Sequence, residues 1–426
     1  MRVCSVLILA LLIFPQLNAI PAVFNSTGCG IVSADGNVVF AHTPHKIMWY
    51  NITGSKIAEY DFENISRLSL SGDGSYVVVV SSEGGDYWKS MIEANVSLFS
   101  LNAGLLWSVK DKVRDVAISP EGGYVAVLSV EEVPYTLQST LTPEPIGYNP
   151  VLKFFTRGGD LLWNYSLNMP VEWFSRRSGI LDISEGGKYI AFGIPGRVGI
   201  PARVYLLNKN GSLLWERDVK GEPFSVRITR HGDKVYVLTM GGMLNCFSNR
   251  GEPLWEREIF LGGTMEASLY SSETGNLVLA VSFGGDEAYG SSRFDAIALN
   301  GDGNILLKER FSRETSLPKR GAVAGKYFAV HYPFAKHGEL ALYDNSGREV
   351  WRMNVSNFAS EISISEDGDY ISLCTQDSFI VFNNTIVKLD NVHDNVHKKC
   401  SFRKYVLAAI AAIFVAGLIY IYRLKK

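Results

Sequence analysis

Two pairs of adjacent carboxylates, Glu131-Glu132 and Asp286-Glu287, are the first residues to weigh for chemistry, because paired acids can divide general acid and base duty or hold a cation. Neither pair has a partner base at a spacing that would complete such a site, and adjacent acids in a connecting loop ordinarily face solvent. His393, His397 and Cys400 form H-x-x-x-H-x-x-C, a spacing that suits zinc on a helix, but it offers three donors where a closed site takes four. A solvated stalk is the simpler reading of that segment. No serine nucleophile elbow, HExxH pair or phosphate loop occurs in the context it would need. No catalytic residue, metal site or cofactor is therefore expected, and the glycine-rich stretches read as turns.

Aromatic residues interleaved with arginines are the remaining candidates. They are Trp88, Tyr135, Tyr148, Trp173, Arg176, Arg177, Arg197, Tyr289, Arg293, Tyr332 and His337, all in or beside long, irregular connections. Such mixtures are enriched in protein interfaces, and variable loops on a rigid scaffold commonly carry function. The same aromatics could instead pin long loops onto the body beneath.

The elements that must position them repeat. IVSADGNVVFA from Ile31, LSLSGDGSYVVVVSS from Leu68, VAISPEGGYVAVLSV from Val116 and five later segments each pair two β-rich runs around an Asp-Gly-like turn. Between them stand second hairpins such as VYLLNKNGSLLWERD, whose turn glycines fall at Gly54, Gly104, Gly159, Gly211, Gly251, Gly303 and Gly347. Four antiparallel strands per repeat, every 40 to 55 residues, predict an all-β propeller of eight blades, with seven as the alternative count. Trp107, Trp163, Trp215, Trp255 and Trp351 then fill the wide outer gaps between blades. Ala58 and Leu307 stand where tryptophan is expected in units one and six, so those gaps must be packed differently. The eighth unit takes SFIVFNN with TIVKLD, or else a strand from Val23 and Phe24. In a ring, Cys29 and Cys374 lie in neighbouring units, and a closing disulfide is expected between them; two small buried apolar residues is the alternative.

This D-x-x-x-G-x-x-x-W pattern resembles the pyrroloquinoline-quinone-type repeat propellers and the related WD-like repeats, across nearly the whole region between the termini. The quinone-dependent enzymes of that family hold their cofactor with a vicinal cysteine pair, and none of the five cysteines here are adjacent. The family's outer-membrane assembly lipoprotein, a non-enzymatic scaffold, is the better likeness, although no lipobox cysteine is present. Sequence style is also similar to archaeal surface propellers, with glutamine only at positions 16, 138 and 376.

The ends predict export and anchoring. MRVCSVLILALLIFPQLNA has the charged, apolar and small-residue zones of a signal peptide cleaved after Ala19. Residues 405–422 carry no charge, are flanked by lysines and arginines, and are long enough for one transmembrane helix. The expected order is signal peptide 1–19, propeller 20–390, stalk 391–404, transmembrane helix 405–422 and cytoplasmic tail 423–426, with the propeller outside the plasma membrane. Sequons at Asn25, Asn51, Asn64, Asn95, Asn164, Asn210, Asn354 and Asn383 all fall in the exterior part. A formal charge of -2, with 47% apolar and 20% charged residues, describes a folded protein with no global field for nucleic acid. The expected role is a membrane-anchored module that binds a protein partner on its long-loop face. The alternative is an exported sugar-processing or quinone-dependent enzyme with an axial site.

Overall fold

A computed structural model describes residues 22–62, 64–81, 93–134, 146–168, 179–196, 200–260, 264–286, 291–313, 320–333, 338–355, 359–375 and 378–384. One compact unit runs from Val23 to Val381, and the terminal stretches Met1–Ala22 and Phe382–Lys426 form a second, of which only residues 22 and 382–384 are described.

Eight four-stranded antiparallel sheets make the eight blades of a propeller. Blades one to seven are sequential meanders over residues 29–61, 65–111, 113–166, 181–219, 223–258, 264–313 and 321–355. The eighth joins three C-terminal strands, Glu361–Ile364, Tyr370–Cys374 and Ser378–Asn383, to an outer strand from the other end of the chain, Ala22–Thr27. Of the two sources considered for that strand, the N-terminal one supplies it; TIVKLD, residues 385–390, lies outside the described residues.

Seven of the eight inner turns are built around a hydroxyl, and Ala324 holds the place in blade seven. Ser33, Ser71, Ser119, Ser184, Thr229, Ser272 and Ser365 each accept the backbone N–H five residues on, while glycines such as Gly36 and Gly74, at φ of 71° and 70°, make the reversal that a residue with Cβ resists. The hydroxyls are satisfied locally and so can be buried at no unpaired cost. Third and fourth strands slip register by one residue just after the tryptophan position in every sequential blade, at Trp49/Tyr50, Leu98/Phe99, Phe154/Phe155, Leu206/Leu207, Cys246/Phe247, Ala298/Leu299 and Leu342/Tyr343. That repeated bulge twists the outer strand and puts Ala58 and Leu307 in the same position as the tryptophans, opposite Trp49 and Ala298.

Two long connections read from sequence are partly strand. Tyr124–Pro134 pairs with Ile146–Thr156 out to Pro134 opposite Ile146, so much of the stretch from Ser129 to Pro150 is an extended hairpin and not a loop. Leu277–Asp286 and Ser291–Asn300 do the same in blade six. Glu131 and Glu132 therefore alternate along a strand, which points them to opposite faces and disqualifies them as a joined acid pair. Glu132 instead meets Lys112 at 2.9 Å.

Candidate functional site

The seams between blades are one interlocking device used repeatedly. The indole N–H of Trp107, Trp163, Trp215 and Trp255 donates to the carbonyl of Arg157, Lys209, Asn249 and Gly301, each in the outer turn of the following blade. The turn's glycine, two residues later, lies on the same ring: a Cβ at Gly159, Gly211, Gly251 or Gly303 would come within 2.7–2.8 Å of it. Where tryptophan is missing, Tyr60 takes the place under Gly104, the Leu306 backbone under Gly347, and Phe24 of the N-terminal strand under Gly54. Trp351 is buried as well. Nearer the axis, Tyr76, Tyr124, Tyr189, Tyr327 and Tyr370 sit beneath inner-turn glycines of the next blade in the same way.

Around the axis the inner strands enclose a polar cavity of about 400 Å³ into which Arg67, Asp115, Asp182, Arg227, Arg320 and Glu361 project from blades two, three, four, five, seven and eight. Basic and acidic side chains are matched: Arg67 faces Asp115, Arg227 faces Asp182 and Arg320 faces Glu361. Inner-strand bulges at Ile65/Arg67, Val113/Asp115 and Pro223/Ser225 aim these positions inward. The carboxylates stitch blades together. One oxygen of Asp115 accepts N–H groups of Gly179, Ile180 and Leu181 at 2.8, 2.8 and 3.2 Å, and Asp182 accepts that of Ile228 at 2.9 Å. Ser69 to Ile118 and Ser363 to Val32 repeat the stitch with hydroxyls. Burial pushes the Asp115, Asp182 and Glu361 carboxyls above their ordinary range, Glu361 to about 6, each opposed by its arginine.

At the short-turn end the inner turns are linked directly, Ala34 N–H to the Gly72 carbonyl, Gly72 to Pro120, Glu185 to Arg230, Arg230 to Glu273 and Glu366 to Ala34. Arg230 bridges Glu185 and Glu273 at 2.8 Å each. Burial, then the Glu273 charge, push Glu366 up to about 7.

The rim is apolar in a way the interior does not require. Among the described residues, ten of the eleven exposed large apolar side chains, all but Met240, lie on the fourth strands of blades one to six: Ile57, Leu105, Leu106, Val109, Leu161, Leu162, Leu213, Leu214, Leu254 and Ile305. Most directly follow the outer turn, so they form a belt around the rim on the short-turn side. Fourth strands are also sheet edges, with one row of backbone groups unpaired by the blade.

Of the aromatic and arginine positions singled out in the sequence, Trp88, Tyr135, Trp173, Arg176, Arg177, Arg197, Tyr289 and His337 lie outside the described residues, and Arg293 is described only as a strand position opposite Gly284. Tyr148 is half-buried, with the Arg114 guanidinium 5.9 Å from its ring. Tyr332 does not belong to a surface. It is 1% exposed, edge-on to Phe294, hydrogen-bonded to the Tyr343 hydroxyl at 2.9 Å and covered by Arg352. Its strand, Tyr327–Pro333, turns that side chain into the seam between blades six and seven, where burial raises its phenol pKa. The axial charges and the rim leucines were not identified from sequence, although the doublet before tryptophan in NAGLLW, GGDLLW and NGSLLW was a visible signal for the rim.

Solved structures of low identity share this fold. BamB from Moraxella catarrhalis aligns with TM-score 0.55 at 15% identity, over 86% of this chain and 100% of that one. The C-terminal WD40 domain of Sif2 aligns with TM-score 0.55 at 14% identity, over 85% and 98%. A eukaryotic initiation factor aligns with TM-score 0.52 at 14% identity, over 87% of each chain. The chain shares the β-propeller fold of these proteins. No protein-family model matches its sequence, and no curated protein does. At such identities the likeness is one of fold, so function has to be argued from the surfaces.

Proposed function

We propose that this chain is a non-enzymatic binding propeller that engages a protein partner and is carried on the outer side of a membrane. The observation that supports binding most directly is the set of exposed apolar side chains on six consecutive fourth strands, because exposed leucine and isoleucine beside an open strand edge invite a partner that covers both. The aromatic and arginine face read from sequence is a second contact region in this proposal. An axial enzyme is the weaker reading, since Asp115 and Asp182 commit their oxygens to backbone N–H groups.

The membrane part rests on sequence: the apolar leader at residues 1–19 and the uncharged run at 405–422. Among the described residues no helix is long and apolar enough to cross a membrane, and 405–422 lie outside them. Compatible with exposure to an exterior compartment, Asn25, Asn64, Asn164, Asn210 and Asn354 are exposed, and Asn51, Asn95 and Asn383 are half-buried.

Photo-crosslinking in the native membrane tests the binding role, with the probe placed at residue 161 or 213 on the rim, or at 88 or 173 on the long-loop face. A discrete protein adduct from the rim, abolished by Leu105→Lys with Leu254→Lys at unchanged thermal stability, is the expected result. No protein adduct from any of the four positions refutes the binding role.

A further inference from the structure

The seam that closes the ring carries more chemistry than a disulfide requires. Cys29 and Cys374 are bonded across the junction of blades one and eight, their Cα atoms 5.0 Å apart. Each has a metal-binding residue directly opposite on the neighbouring strand of its own blade: His42 faces Cys29, and Glu361 faces Cys374. The ligand atoms of Cys29, His42 and Glu361 all lie within 4.8 Å of one another, and Cys29 Sγ is 3.6 Å from Glu361 Oε2. Two cross-strand pairs thus meet face to face, with sulfur, imidazole and carboxylate around one point.

We propose that, when the Cys29–Cys374 bond is reduced, Cys29, Cys374, His42 and Glu361 become a four-ligand site for a borderline-soft divalent cation, zinc above all, so that the ring has a second fastener. Two sulfurs, one nitrogen and one oxygen are a zinc donor set, and tetrahedral Zn–S bonds of about 2.3 Å require the sulfurs to part to roughly 3.8 Å, within reach of side-chain rotation. Reduction by a dithiol breaks the S–S bond and delivers two electrons and two protons; the dithiol leaves as its own disulfide. Zinc then displaces both thiol protons to solvent, leaving two thiolates, a neutral imidazole and a carboxylate around the ion. Charge balances in both states. The oxidised seam has the Glu361 carboxylate against Arg320, and the metal-bound seam adds two thiolates and one divalent cation, which cancel. Hard cations that prefer all-oxygen shells are disfavoured by the sulfurs.

The test uses the full chain in detergent, with Cys4, Cys246 and Cys400 changed to serine and His393 and His397 to alanine, which removes the other thiols and the juxtamembrane histidines. After reduction by a phosphine and its removal, the protein is titrated with Co²⁺ and then Zn²⁺. The expected result is one equivalent per chain, a thiolate-to-cobalt charge-transfer band, and displacement of cobalt by zinc; the oxidised protein takes up neither. His42→Ala and Glu361→Gln each weaken uptake by on the order of a hundredfold. Both variants still form the Cys29–Cys374 linkage on reoxidation, seen in a non-reduced digest, which separates lost ligation from lost folding; His42→Gln stands in for any alanine variant that fails this check. Reduced protein that binds no cobalt, binds it without the charge-transfer band, or binds it as tightly without His42 overturns the proposal.

Discussion

Placing a methyl group on Gly251 tests the seam mechanism at one well-defined joint. Gly251 has φ of +78°, and a Cβ there would lie 2.7 Å from Trp215 Cγ and 3.0 Å from Cδ1. Gly251→Ala therefore meets two costs, about 1–2 kcal/mol for a left-handed alanine and about 1–3 kcal/mol for overpacking against the indole. Trp215 is 5% exposed, so Trp215→Ala alone should cost about 3–5 kcal/mol from the lost ring and the cavity it leaves. In the double variant the backbone cost of Gly251→Ala persists but the clash has nothing to strike. The two changes together should thus fall short of their sum by about 1–3 kcal/mol. Urea unfolding of the full chain gives the free energies, and hydrogen exchange across blades four and five localises the effect if unfolding is not two-state. Additivity within about 0.5 kcal/mol would falsify the claim that ring and glycine share one space.

Asp115→Ala removes the acceptor of four backbone N–H groups and the partner of the Arg67 charge at the axis, and should cost about 3–5 kcal/mol by denaturant titration. Glu366 holds its proton more tightly folded, at about 7 against an ordinary 4.5, so its contribution is present below pH 4.5 and is lost as pH rises through 7. Allowing for partial exposure, that slope is on the order of 1–2 kcal/mol. Glu366→Gln should flatten the pH dependence of stability between those values and leave the variant the more stable at pH 8. Cys374→Ser under oxidising conditions opens a closure spanning 345 residues and should lower stability by roughly 2–5 kcal/mol, measured as a drop in thermal midpoint.

What the sequence revealed follows from what is local. Turn glycines, the period of the hairpins and the tryptophan next to each outer turn are short-range patterns, and they led to eight four-stranded blades. Tyr60 and Leu306 escaped notice, and Phe24 was read only as part of a strand, because the turn glycine is met by whatever reaches it, side chain or backbone, and three different sequence offsets do. The axial side chains were illegible for another reason. An inner-strand bulge shifts every later residue to the opposite face, and nothing in the letters around Arg67, Asp115 or Ser225 marks where that shift falls. Tyr332 was misread because an aromatic beside an irregular connection looks the same whether its strand turns it outward or into a seam.

The outer strand of the last blade precedes every other described strand in the chain, and its partner, Ser378–Asn383, follows every other one. Ala22–Thr27 must therefore wait, unpaired, while seven complete sheets form in order, and closure is the step of highest contact order and the slowest by topology. A chain cut short anywhere before its final strand leaves two open edges that template aggregation. The ring thus carries its own record of assembly: Cys29 meets Cys374 only when the eighth blade has docked beside the first, so that pairing is a chemical mark of closure.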